Sequence, residues 1–256
     1  MSYNALMDLN LAGVRWELTD TPNLVGQNRA PAQSPATPAP LAGGDPARTS
    51  AIVVPPIAPA TTVSLDTVRA MASRPNDMSA LNRMIGEFNH PLRTAATNTT
   101  LPFVASNPNG LVILTDIPSS DDDATGKILS GASGELMDKM LAAIGMSREN
   151  VSIVPMLFWR TPGGRSPLRA ELDMARPFVD RALELLNPRV ILTLGTLPAM
   201  EIAGINLAKA HGKPIAQENG YIIMPIFHPN YLILKPAAKR EVWTALQNVQ
   251  NILKNA

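Results

Sequence analysis

Two residue types suited to acid–base chemistry stand directly behind short apolar runs. Asp116 follows LVILT at 111–115, and His228 follows YIIMPIF at 221–227. A carboxylate can take a proton or balance developing positive charge, and a neutral imidazole can donate to developing negative charge. Two more runs end comparably. VSIVPML at 151–157 contains Pro155 and leads into a loop reaching Arg165, and VILTL at 190–194 leads into Gly195-Thr196. If the four runs are strands of one parallel sheet, the residues behind them converge on one edge, where open α/β sheets bind ligands. Structural roles stay open at this stage: Asp116 capping the next turn, and His228 satisfying loop carbonyls ahead of Pro229.

Parallel strands need crossover helices, and the chain supplies them. Gly134 to Ile144 places Leu136, Met137, Met140, Leu141 and Ile144 on one helical face, with Gly145 set to end the helix. Ser166-Pro167 reads as an N-cap with proline at the first helical position, ahead of a helix through Leu186 with a kink at Pro177. Further helices are predicted from about Leu197 and from Lys239 to Leu253. The alternation predicts an α/β fold, a three-layer αβα arrangement around a central four-stranded parallel sheet. Ahead of it, Leu65 to Phe88 has the spacing of one or two helices interrupted near Pro75.

Composition divides the chain. Between Ala30 and Pro59 stand eight prolines and eight alanines, a stretch suited to an extended linker rather than a core. The predicted organisation is an N-terminal helical arm over 1–29 carrying Trp16, a Pro/Ala-rich linker over 30–60, and a folded domain over 61–256.

The 256 residues carry a net charge of +1, a hydrophobic fraction of 45% and no cysteine. Disulfides, cysteine nucleophiles and Cys-ligated zinc or iron–sulfur centres are therefore excluded. His90, His211 and His228 lack metal-ligand spacing, so no metal is expected. P-loop, dinucleotide-binding and G-x-S-x-G signatures are absent. No apolar run reaches the roughly 18 residues of a membrane span, and no secretory signal is visible, so a reducing cytoplasm is the default setting.

Read together, the strand ends resemble a known family. TDIPSSDDDATGKILSGASGELMDKMLAAIG (115–145), WRTPGGRSP (159–167), ARPFVDRALELLNPRVILTLG (175–195) and HPNYLI (228–233) occur in the order of the uracil-DNA glycosylase superfamily, specifically its family 4 branch. The resemblance covers roughly residues 85–253, including FNHPLRTAATNTTLPF at 88–103.

That resemblance implies base excision from DNA, with the target nucleotide extruded into a pocket. It implies Asp116 and His228 as catalytic residues. Ile117, Pro118, Leu129 and Pro155 fall where the family holds the base. Ser130, Ser133, Arg165, Ser166, Thr196, Asn230, Tyr231, Leu232 and Lys235 fall where it meets DNA. Tyr231, Leu232 and Ile233 would form the wedge that fills the vacated stack. The acidic run Asp121-Asp122-Asp123 reads as a solvated turn.

Departures from the pattern are specific. The family's four cluster cysteines correspond to Glu87, His90, Trp159 and Ala175, so no cofactor is expected, with packing around Trp159 and Ala175 in the cluster's place. Leu129 stands for a stacking phenylalanine, and Pro155 for an asparagine that reads the uracil edge. Proline offers neither a side-chain amide nor a backbone N–H. The implied partner is uracil-containing or otherwise damaged DNA, with no membrane; the implied state is a monomer whose linker is open to a protein partner. The alternative is a non-catalytic DNA- or nucleotide-binding relative.

Overall fold

The computed structural model describes residues 64–218 and 220–255. The arm expected over 1–29 and the linker over 30–60 lie outside them. Two helices come first, α1 (Leu65–Ala72) and α2 (Met78–Glu87). Pro75 falls between them, and each helix has its own side-chain cap. Ser64 Oγ accepts from Thr67 N, and Asp77 Oδ1 accepts from Ala80 N.

The alternating region follows. Strand β1 (Leu111–Thr115) leads to a short helix α3 (Ser120–Thr125) and then to α4 (Gly131–Ala143). After β2 (Val151–Pro155) comes α5 (Arg169–Leu186), and after β3 (Val190–Leu194) come α6 (Thr196–Ala203) and α7 (Leu207–Ala210). The chain closes with β4 (Ile215–Ala216), β5 (Ile222–Ile226), α8 (Pro229–Leu234) and α9 (Lys239–Lys254).

The sheet order is β2-β1-β3-β5-β4. All pairings are parallel except β4 with β5. The expected sheet therefore gains a fifth, antiparallel edge strand, whose two residues are too few to show any alternation in sequence. From β1 the chain moves outward to β2, then crosses back over β1 to β3. Neighbouring β1 and β3 thus have connections leaving in opposite directions, and this switch point opens a crevice at their carboxyl ends.

Alternation along each strand divides the core into two layers. Val112, Leu114, Val154 and Ile191 pack with Val68, Leu81, Phe178 and Val179 under α1, α2 and α5. Leu111, Ile113, Val151 and Leu192 pack with Met137, Leu141, Val242 and Val249 under α4 and α9. The open edge of β2 is covered by an extended segment, where Phe103 exchanges both backbone hydrogen bonds with Ile153.

One local expectation is corrected. Leu168, not Ser166, is the N-cap of α5. Glu171 Oε2 accepts from Leu168 N at 2.7 Å and supplies the cap from inside the helix. Pro177 lies inside α5, which reaches Leu186 as expected.

The acidic run is not a solvated turn either: Asp122 and Asp123 are buried. Asp122 closes a capping box with Ser119 and also accepts from Ser130 N at 2.6 Å. Asp123 Oδ1 accepts from Thr97 N and Asn98 N. The run is a clamp joining three segments of backbone, and its buried charges face N–H donors rather than water.

Candidate active site at the carboxyl ends of the strands

Gly195 follows β3 with φ +91°, a backbone conformation that side chains disfavour. A Cβ placed there would lie 3.5 Å from His228 Cβ and 3.9 Å from Asp116 Oδ2. Asp116 from β1 and His228 from β5 therefore flank the bare backbone of the strand between them. The juxtaposition expected from strand order is present.

Asp116 is held on one oxygen, and His228 is held on both ring nitrogens. Asp116 Oδ1 accepts from Ile117 N at 2.9 Å, so Oδ2 is the oxygen directed toward Gly195. Burial raises the Asp116 pKa above the usual carboxylate value, against that N–H bond, and so strengthens the carboxylate as a base. His228 Nδ1 accepts from Asn230 N at 3.2 Å. Nε2 therefore carries the proton of the neutral ring and donates to Thr115 Oγ1 at 3.2 Å. Burial pushes the His228 pKa down to about 4, with the Asp122 carboxylate opposing the shift, so the ring is neutral at neutral pH.

The remaining predicted residues separate into groups. Ile117 is half-buried, while Pro118 and Pro155 are buried at the same edge, with Pro155 in register with Thr115. Leu129 lies elsewhere. It is 3% exposed and packs in the layer of Met137, Leu141 and Leu232, which corrects the expectation of a base-stacking face. Its φ is +50°, and Arg148 donates to the carbonyls of Ile128 and Leu129 at 2.9 and 2.6 Å. A Cβ at Gly134 would lie 1.7 Å from the Leu129 oxygen, so that glycine lets α4 approach the loop. Arg148 has no signal in the sequence, because its partners lie about twenty positions away.

Of the expected DNA contacts, Ser166, Thr196, Asn230 and Lys235 are exposed. Ser130 is half-buried and its hydroxyl bonds Lys127 O, whereas Ser133 is buried within α4. Leu232 is fully buried in the core, so it is not a wedge. Rotation along α8 instead turns Ile233 and Leu234 outward, 42% and 51% exposed. Tyr231 is half-buried. Arg165 is not a free cation: its guanidinium pairs with buried Glu171 through contacts of 2.9 and 2.5 Å. That pairing holds the Glu171 carboxyl below its ordinary pKa.

A profile of the family described as "Uracil DNA glycosylase superfamily" matches residues 101–247. The chain belongs to that superfamily. It is 30% identical over 152 residues to a type-4 uracil-DNA glycosylase of Archaeoglobus fulgidus, covering 55% of this chain and 75% of that one. Over 126 residues it is 32% identical to the type-4 enzyme of Thermotoga maritima, covering 48% and 66%. A third type-4 relative, from Sulfurisphaera tokodaii, is 27% identical over 140 residues.

This superfamily member has no cysteine and so no thiolate for a Cys-ligated cluster. Glu87 is exposed, and Trp159 and Ala175 carry no ligand atom. Both His90 nitrogens are engaged, Nδ1 with Leu92 N and Nε2 with Glu171 O. The His90 ring stacks on Trp159 at 4.5 Å and 9°, and Phe88 packs against both. Among the described residues no helix is long and apolar enough to cross a membrane.

Proposed function

We propose that the protein is a uracil-DNA glycosylase that hydrolyses the N-glycosidic bond of uracil, or of another deaminated base, in DNA. The supporting observation is the pairing of Asp116 and His228 across Gly195, each with a backbone N–H bound to one atom, Asp116 Oδ2 directed toward Gly195 and His228 Nε2 held by the Thr115 hydroxyl. In this reading the nucleotide is extruded into the crevice beyond β1 and β3. The Asp116 carboxylate orients the attacking water and offsets positive charge on the sugar. Neutral His228 turns its single Nε2–H from Thr115 Oγ1 to the departing base, which leaves as an anion stabilised by that hydrogen bond.

Base selection is loose in this proposal, since Pro155 has no amide to read the uracil edge. The exposed residues Ser166, Thr196, Asn230 and Lys235 face the phosphate backbone, and Ile233 and Leu234 fill the vacated stack. The protein acts as a cytoplasmic monomer, with residues 1–60 as a tether open to a protein partner.

The test is excision from a labelled oligonucleotide carrying one uracil, read as strand cleavage after alkali. Cleavage is expected at uracil and, more slowly, at hypoxanthine, and Pro155→Asn should widen the uracil preference. Salt-dependent DNA binding without cleavage at any deaminated base would favour the non-catalytic alternative.

A further inference from the structure

The peptide group between Leu129 and Ser130 is held between opposite charges. Its carbonyl oxygen accepts from Arg148 Nη2 at 2.6 Å, and its N–H donates to Asp122 Oδ1 at 2.6 Å. A cation on the oxygen draws electron density from the nitrogen, which makes the N–H a stronger donor to the carboxylate. The guanidinium is itself fixed by two further bonds, from Nη1 to Ile128 O at 2.9 Å and from Nε to Asp138 Oδ1 at 2.8 Å.

This peptide is held in place from outside rather than by local preference. Leu129 has φ +50°, a left-handed conformation that leucine rarely adopts and that persists only where the surroundings enforce it. Gly134 makes room for the group, since a Cβ there would lie 1.7 Å from the Leu129 oxygen.

On its other side Asp122 joins the peptide to the catalytic edge. Asp122 Oδ2 accepts from Ser119 N at 2.9 Å, and Asp122 N donates to Ser119 Oγ at 3.1 Å. Ser119 belongs to the short connection between β1 and α3, and so does Asp116. The Asp122 charge is also felt at His228, where it opposes the effect of burial. A continuous line of hydrogen bonds therefore runs from Asp138 through Arg148, the peptide and Asp122 to the segment that carries Asp116.

We propose that Arg148 is a positioning residue for the reaction, acting through the Leu129–Ser130 peptide and Asp122 to fix the connection that presents Asp116. This rests on the glycosylase reading for the reaction that Asp116 serves. Without the cation the strained peptide relaxes and the connection gains freedom. Alignment is then lost in the transition state more than in the binding of DNA.

The experiment compares full-length wild type with Arg148→Gln, Arg148→Lys and Asp138→Asn, after circular dichroism melting has verified each fold. One readout is the Ser130 amide proton in spectra of 15N-labelled protein, and the other is kcat and KM for a uracil-containing oligonucleotide. Arg148→Gln should move the Ser130 proton upfield, as a weaker hydrogen bond does, and lower kcat roughly ten-fold with KM changed less than about two-fold. Arg148→Lys keeps the charge without the fork and should recover part of both. Asp138→Asn, at an exposed position on α4, should act in the same direction by less. An unmoved Ser130 proton or an undiminished kcat in folded Arg148→Gln would overturn the proposal, as would a loss confined to KM. If neither Arg148 variant folds, the guanidinium is a structural staple and the positioning role is refuted. Those outcomes presuppose an active wild type and leave the glycosylase reading standing. A wild type that excises no deaminated base removes that reading, and the positioning role with it, whatever the amide proton does.

Discussion

Thr115 Oγ1 lies 3.2 Å from His228 Nε2, across 113 positions of sequence. The hydroxyl is buried and accepts the N–H that the proposed chemistry aims at the departing base. Thr115 thereby sets the ring angle and satisfies a donor that burial would otherwise leave unmet. Thr115→Val should lower the excision rate constant about ten-fold with little change in KM, and Thr115→Ser should restore it. A valine variant with wild-type turnover would show that Asn230 N–H alone orients the ring.

Asp116→Asn and His228→Ala should each lower single-turnover excision by roughly ten-fold or more, about 1.4 kcal/mol or above. Affinity for undamaged DNA should hardly move, because neither group is placed at a phosphate. Wild-type excision in both variants would refute their assignment.

The pH response of stability follows from burial of the histidines. His228 has a folded pKa of about 4 against roughly 6.5 for the unfolded chain, so below pH ~6.5 the unfolded state takes the proton first. Stability should hold above that pH, fall toward pH 4 and level off below it, by on the order of 3 kcal/mol for this residue. His90 and His211 are shifted the same way. Asp116 acts oppositely, since a raised folded pKa makes the native state gain its proton first as pH falls. Urea midpoints from pH 7.5 to 4 provide the check, and His228→Gln should flatten the profile. Excision should decline at acid pH as Asp116 protonates, with no inflection near 6.5 from His228.

Arg165 and Glu171 should behave as one unit. Removing either partner should lower the melting temperature, and the double substitution should cost less than the sum of the two. If Arg165 is committed to Glu171, Arg165→Ala should leave the salt slope of DNA binding unchanged. A slope reduced by roughly 0.9 would instead make it a phosphate contact.

Much of this architecture is legible in the sequence. Runs such as LVILT and VILTL are short, apolar and bounded by turn residues, and both became strands with the predicted limits. Asp116 and His228 stood out because a parallel sheet must bring its strand ends to one edge. The two-residue β4 carried no such pattern. Neither did the choice between Leu232 and Ile233, which depends on how a six-residue helix is rotated against the core.

By itself the sequence determined the alternation of the four long strands with their main helices, the absence of thiolate ligands and the pair of chemical groups at the strand ends. Those properties follow from local periodicity and residue chemistry, which act over a few positions. Tertiary structure decided which polar groups meet. Asp122 and Asp123 look solvated as a run of charge, yet folding brings Ser119, Ser130, Thr97 and Asn98 N–H groups to them. Arg165 looks like a surface cation until α5 delivers Glu171 to it. Thr115 reads as the last residue of a strand until β5 carries His228 alongside. A buried polar group must find a partner, and only the packed chain determines which one lies within reach.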